Sequence, residues 1–155
     1  MKEKIKGFTL IELIIVIAII AILAAIAFVA VNPAKRLGDA NNDQRWADVT
    51  AIADAWEKYT TDKQGSFPAV VTTSAIYEVG AGFDAANCLN DDGVAVDEAL
   101  DLSALVTEGY LGAVPADDQT ESTSGNGYYF EIDINNIIKV GSCTSYDGAV
   151  IYVTR

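Results

Sequence analysis

The chain has 155 residues, 51% of them hydrophobic, a net charge of −12 and no histidine. Without histidine it holds no Ser-His-Asp or Cys-His catalytic arrangement and no zinc site built on imidazole. Between Lys63 and Lys139 there is no Lys or Arg, against thirteen Asp and Glu. Such a surface repels phosphate backbones, which cations bind by displacing counterions, so direct nucleic-acid binding is not expected.

The length fits one domain plus an attachment segment. Leu13 to Val31 are nineteen consecutive residues without a polar side-chain atom. At about 1.5 Å per residue they cross most of a hydrocarbon core of about 30 Å. Lys2, Lys4 and Lys6, opposed only by Glu3, precede the run. Positive-inside bias then keeps the N-terminus cytoplasmic and exports the rest, as a single-pass membrane protein. A secretory signal peptide is the rival, but its apolar core is only about 7–15 residues and ends at a small-residue cleavage site. Here Asn32, Pro33, Ala34 and Lys35 follow the run. Residues 1–7 hold three lysines and one glutamate, so the remainder carries −14.

Asn32 before Pro33 suits a helix N-cap with proline at the first helical position. The residue before a proline is also biased out of the α region, so the apolar helix either kinks here or ends as a second one begins. Trp46, Val49, Ile52, Trp56 and Tyr59, with Ala53 beside them, recur at helical spacing opposite Asp48, Asp54 and Lys58. This stripe predicts an amphipathic helix over 32–62 that packs on its own domain. Gly38 weakens its first turns by about 1 kcal/mol relative to Ala. Lys63, Gln64, Gly65, Ser66 and Pro68 end it. Residues 69–98 read as an irregular connection, and Asp97–Glu108 as a short helix stopped by Gly109. Residues 128–134, 137–140 and 149–154, divided by Asn135-Asn136 and Tyr146-Asp147-Gly148, read as an antiparallel meander. The expected class is α+β: a long N-terminal helix packed on a small C-terminal antiparallel sheet.

Cys88 and Cys143 lie on the exported side, where an even pair reads as a disulfide. Closing that loop is worth about 4 kcal/mol in the chain-entropy model; two unpaired buried thiols are the alternative. Asp39, Asn41 and Asp43 copy the first ligands of an EF-hand loop, but Gln44 replaces the glycine and Thr50 the closing glutamate. Asp91 and Asp92, and Asp117 and Asp118, are the better calcium candidates, though solvated acidic turns are commoner. No carboxylate pair in a cleft is legible, so no catalytic residue and no obligate cofactor are expected.

Lys6-Gly7-Phe8-Thr9-Leu10-Ile11-Glu12 and the run behind it resemble the N-terminal signature of type IV pilins and pseudopilins. The pattern is a basic leader, a glycine before the cut, a methylated residue after it, and a glutamate four residues on. Residues 45–59 and Gly65-Ser66-Phe67-Pro68 are similar to the family's helix end. Tyr110, Leu111, Pro115 and Asp117 resemble it more loosely. The resemblance implies a pilin-like ladle with a leader at 1–7, a membrane and filament-core helix at 8–31, an amphipathic half at 32–62 and a globular head at 63–155.

It also implies a route. A prepilin peptidase would cut between Gly7 and Phe8 and methylate the new Phe8 amine. An inner-membrane assembly platform with its ATPase would then draw subunits from the lipid into a helical homo-oligomer at the cell surface or in the periplasm. Pairing of Glu12 with the Phe8 amine is the implied assembly contact, and a carboxylate in lipid needs such a partner. Glu12 could instead simply lie near the positive end of the helix dipole. Ala21, Ala24, Ala25 and Ala27 allow helices to approach closely. Unlike many pilins, the run holds no Gly or Pro between Phe8 and Val31, which moves any helix melting toward 32–38. A pilus subunit, a pseudopilin of a type II secretion or DNA-uptake system, and a bitopic protein with a ligand-binding exported domain all fit these features. Some pseudopilins bind calcium in a C-terminal loop.

Overall fold

The computed structural model describes residues 7–69 and 71–155; the leader residues Lys2, Lys4 and Lys6 lie outside that range. The chain divides into two compact units, up to Leu37 and from Gly38 onward.

The first unit is built on α1 (Leu10–Val31), long and apolar enough to cross a membrane. Its 22 residues span about 33 Å. None of its side chains is buried within the described residues. Val31 is followed by Asn32 in the left-handed region, φ 43° and ψ 74°. Asn32 Oδ1 accepts from Lys35 N at 3.3 Å, and its carbonyl from Arg36 N at 3.3 Å. Of the two readings of Asn32-Pro33, the structure takes the second: one helix ends, and α2 (Pro33–Asp62) starts under an asparagine cap with Pro33 first.

In the second unit α2 buries Val49, Ile52, Ala53, Trp56 and Tyr59 against a five-stranded sheet, so the helical stripe of the sequence is the core face. Trp56 packs with tilted rings against Phe130 at 4.4 Å and Phe67 at 5.5 Å between centroids, and Tyr59 meets Tyr110 edge-on at 5.3 Å. One member departs from the stripe. Trp46 is 42% exposed, and Arg45 is buried in its place because its guanidinium has an internal acid to pair with.

The strands are β1 (Ile76–Val79), β2 (Glu98–Leu100), β3 (Tyr128–Ile132), β4 (Ile138–Ser142) and β5 (Tyr152–Thr154), in the order β2-β1-β3-β4-β5. The β3–β4–β5 meander stands where the alternation placed it. Tyr128 faces Ser142 and Ile132 faces Ile138 across β3–β4. Two expectations upstream fail. The irregular connection contains β1, which pairs antiparallel with β3. The short helix is confined to α3 (Ser103–Thr107), and the residues before it form β2, parallel to β1. The sheet is therefore mostly, not wholly, antiparallel.

Both misreadings share a cause. Strand β1 is only four residues long, with a polar Glu78 that is as fully buried as its neighbours, and β2 is three residues long with two of them exposed. The local signal is short in both, four residues rich in β-branched and aromatic side chains in β1 and only three residues in β2, and their pairing in the sheet decides them. A parallel pair needs a crossover, and residues 80–97 supply it. They roof the outer face of the sheet, where Cys88 and Val96 pack on Tyr129. The Cys88–Cys143 disulfide, with Cα atoms 4.7 Å apart, pins this roof to the residue after β4. Gly141 is required beneath it, since a Cβ there would fall inside the Tyr129 ring.

Candidate functional site

Gly7, Phe8 and Thr9 precede the first helical turn and are exposed, Phe8 to 90%. Thr9 is extended, φ −84° and ψ 151°, and caps α1. Its hydroxyl oxygen accepts from Glu12 N at 3.3 Å, while Glu12 Oε2 accepts from Thr9 N and from Thr9 Oγ1, both at 2.8 Å. This reciprocal pair is a capping box, which satisfies two of the donors a helix leaves open at its start. Leu13 N closes the first turn on the Thr9 carbonyl at 3.3 Å.

The arrangement has two chemical consequences. The Gly7–Phe8 peptide bond lies just before the helix, between two exposed residues. The Glu12 side chain folds back along the helix toward its N-terminus, and its carboxylate reaches the peptide nitrogen of Thr9, one residue from that of Phe8. Among the described residues its hydrogen-bond partner is Thr9, not Phe8. Sequence reasoning missed Thr9, although Thr-x-x-Glu ahead of an apolar run is the sequence form of a capping box.

The acidic pairs have separate surroundings. Asp91 is ion-paired with Lys139 Nζ and accepts from the Tyr129 hydroxyl at 3.0 Å, while Asp92 is largely exposed. Burial and the Asp91 carboxylate push the Tyr129 phenol pKa up. Asp117 is buried against Arg45, Oδ2 to Nε at 2.7 Å and Oδ1 to Nη2 at 3.3 Å. It also accepts from Thr144 Oγ1 at 3.0 Å and Gln119 N at 2.9 Å, whereas Asp118 is exposed. Side-chain cations thus already occupy the inner carboxylate of each pair. Asp39, Asn41 and Asp43 lie on α2 rather than on a loop.

Arg45 belongs to a face of α2 that catches the 143–148 segment. Its Nη1 donates to Asn42 Oδ1 at 3.0 Å. Asn42 in turn accepts from Tyr146 N at 2.9 Å and donates to the Tyr146 carbonyl at 3.0 Å. The Tyr146 ring sits directly on Gly38, where any Cβ would overlap it. Gly38, read from sequence as a weak point in the helix, is a seat.

Neither a curated protein nor a solved structure matches the chain. Residues 3–28 match the family model described as the prokaryotic N-terminal methylation motif. The match covers Gly7, Phe8, Thr9 and Glu12 and runs through most of α1: the chain carries the type IV pilin and pseudopilin signature.

Proposed function

We propose that the chain is a structural subunit of a type IV pilus-like filament. It is anchored by α1 with its head exported, cut between Gly7 and Phe8, methylated on Phe8, and assembled through Phe8 and Glu12. The observation that carries this reading is the methylation motif at 3–28, with Glu12 turned back toward the end that cleavage frees. The chain also offers an apolar helix of 22 residues, none of whose side chains is buried among the described residues. Cleavage converts the Phe8 nitrogen from a neutral amide to a cationic amine one residue beyond the atom Glu12 already holds. In a dry helical core that pair neutralises the one acid of α1. The partners on this reading are a prepilin peptidase, an assembly platform with its ATPase, lipid before assembly, and further copies of the chain afterward.

Intact-mass measurement of the mature chain tests the processing step: loss of residues 1–7 plus one methyl group is expected, and an unprocessed mass sinks the reading. Glu12→Ala tests the assembly role. Processed subunits should accumulate in the membrane while the sheared filament fraction falls by an order of magnitude or more. Filaments at wild-type level would remove the pairing role from Glu12.

A further inference from the structure

Glu78 sits within β1 and is fully buried. A carboxylate taken out of water must be hydrogen-bonded, and both of its oxygens are. Oε2 accepts from Asp84 N at 2.6 Å and Oε1 from Gly127 N at 3.1 Å. Gly125 leaves the space the carboxylate fills, since a Cβ there would overlap it. The group is therefore fixed by two segments outside its own strand. A carboxylate oxygen of Glu78 and the sulfurs of Cys88 and Cys143 all lie within 4.8 Å of one another.

The two sulfurs differ in access. Cys88 is fully buried. Cys143 is partly exposed and lines an open groove of about 310 Å³ together with Leu89, Asn90, Asp91, Tyr129 and Val150, the Asp91 charge being paired with Lys139. A thiol reductant therefore arrives at Cys143. Its thiolate attacks the Cys143 sulfur, the S–S bond breaks, and the bonding electron pair leaves on Cys88. A second thiolate then attacks the reductant sulfur of the mixed disulfide, releasing Cys143 as a thiolate and the reductant as its own disulfide. The slow point is the first departure, because exchange slows as the leaving thiol becomes more basic. Neighbouring cations make a thiol more acidic, and a neighbouring anion does the opposite.

We propose that Glu78 guards the Cys88–Cys143 disulfide electrostatically. Its fixed charge makes Cys88 a poor leaving group and repels anionic thiolates at Cys143. The inference does not depend on the filament reading. A carboxylate that merely anchored the Asp84 and Gly127 amides would affect stability but would not discriminate between reductants by charge.

The test compares reduction of the full-length protein in detergent by cysteamine, a cationic thiol, and by 3-mercaptopropionate, an anionic one. Released thiols are alkylated and counted by intact mass. Salt at about 1 M shortens screening to about 3 Å and removes the contribution of the acidic surface. The cysteamine-to-mercaptopropionate rate ratio should be about tenfold higher for the native protein than for the same chain in concentrated urea. Glu78→Gln should bring the native ratio down to the unfolded value. General loosening speeds both reductants alike and leaves the ratio where it was. Equal ratios in native and unfolded wild type overturn the proposal, and that comparison needs no variant to fold. An unchanged ratio in folded Glu78→Gln overturns it as well.

Discussion

Helix α1 and the unit from Gly38 onward solve the same problem in opposite ways. The second unit hides its apolar residues under its own sheet and, among the described residues, leaves no buried side-chain nitrogen or oxygen without a hydrogen-bond partner. Helix α1 buries no side chain among the described residues, and its one acid is held by its own cap. An apolar surface of that size is stable only in lipid or against other apolar helices. On the proposed reading, one region carries its partners in its own chain and the other finds them outside. If that reading holds, substitutions fall into two classes, those that unfold the second unit and those that leave it folded but unassembled.

The largest effect on the head should come from Asp117→Ala. It leaves the Arg45 guanidinium buried without its counter-charge, which costs about 3–5 kcal/mol, and it removes the acceptor for Thr144. Urea unfolding followed by Trp fluorescence reads this directly, since Trp56 lies in the same core. Replacing both Cys88 and Cys143 by serine should come next, at about 2–5 kcal/mol. The residues lie 55 apart in sequence, and the bond holds an irregular roof rather than a regular element. The loss should therefore concentrate in hydrogen exchange of residues 80–97. Uniform loss of protection across the head would show that the roof is no separate unit.

The two regions were also unequally legible. The apolar run, the cap at Asn32-Pro33, the stripe from Val49 to Tyr59 and the β3–β4–β5 meander are local patterns, and each could be read from its own residues. Strand β1 and strand β2 could not. Glu78 is buried only because amides of Asp84 and Gly127 come to it, and β2 is a strand only because β1 lies beside it. Arg45 and Gly38 fail for the same reason: their values depend on Asp117 and Tyr146, some 72 and 108 residues away. The N-terminal methylation motif, which spans Gly7, Phe8 and Glu12, was legible because a motif is a statement about sequence. The Thr9 cap is equally local, since Thr-x-x-Glu ahead of an apolar run is itself a sequence pattern.

Glu12→Gln sharpens the comparison from the other side. The substitution sits in the first unit, so the urea midpoint of the head should not move. Filament yield on the proposed reading should fall, because a neutral amide cannot pair with the Phe8 amine. A shift in the head's midpoint would show that the units are energetically coupled and that the division after Leu37 is not one of stability.

The smallest effect is the pH dependence of the ion pair on the outer sheet face. Burial raises the Asp91 carboxyl, but the Lys139 and Tyr129 hydrogen bonds outweigh it and hold its pKa below the ordinary value. Burial likewise lowers the Lys139 ammonium, yet the Asp91 hydrogen bond and the Glu131 charge raise it overall. Between the folded and unfolded pKa of Asp91 the unfolded chain binds more protons, so the pair stabilises the fold above about pH 4. That contribution is lost as pH falls through the lower, folded value. For Lys139 the sign reverses: stability is present below about pH 10.4 and disappears as pH rises through the raised value. Asp84, lowered to about 2 by the Asn87 side chain and Thr123 N, adds to the same acid arm and must be separated from it. Asp91→Asn does this, since it keeps an acceptor for Tyr129 while removing the charge. The stability difference between wild type and variant should shrink as pH falls below about 4, while the Asp84 contribution remains in both. A difference constant from neutral pH down to pH 2 would mean that the Asp91 charge contributes nothing through Lys139 and that the variant differs only by a pH-independent change in packing.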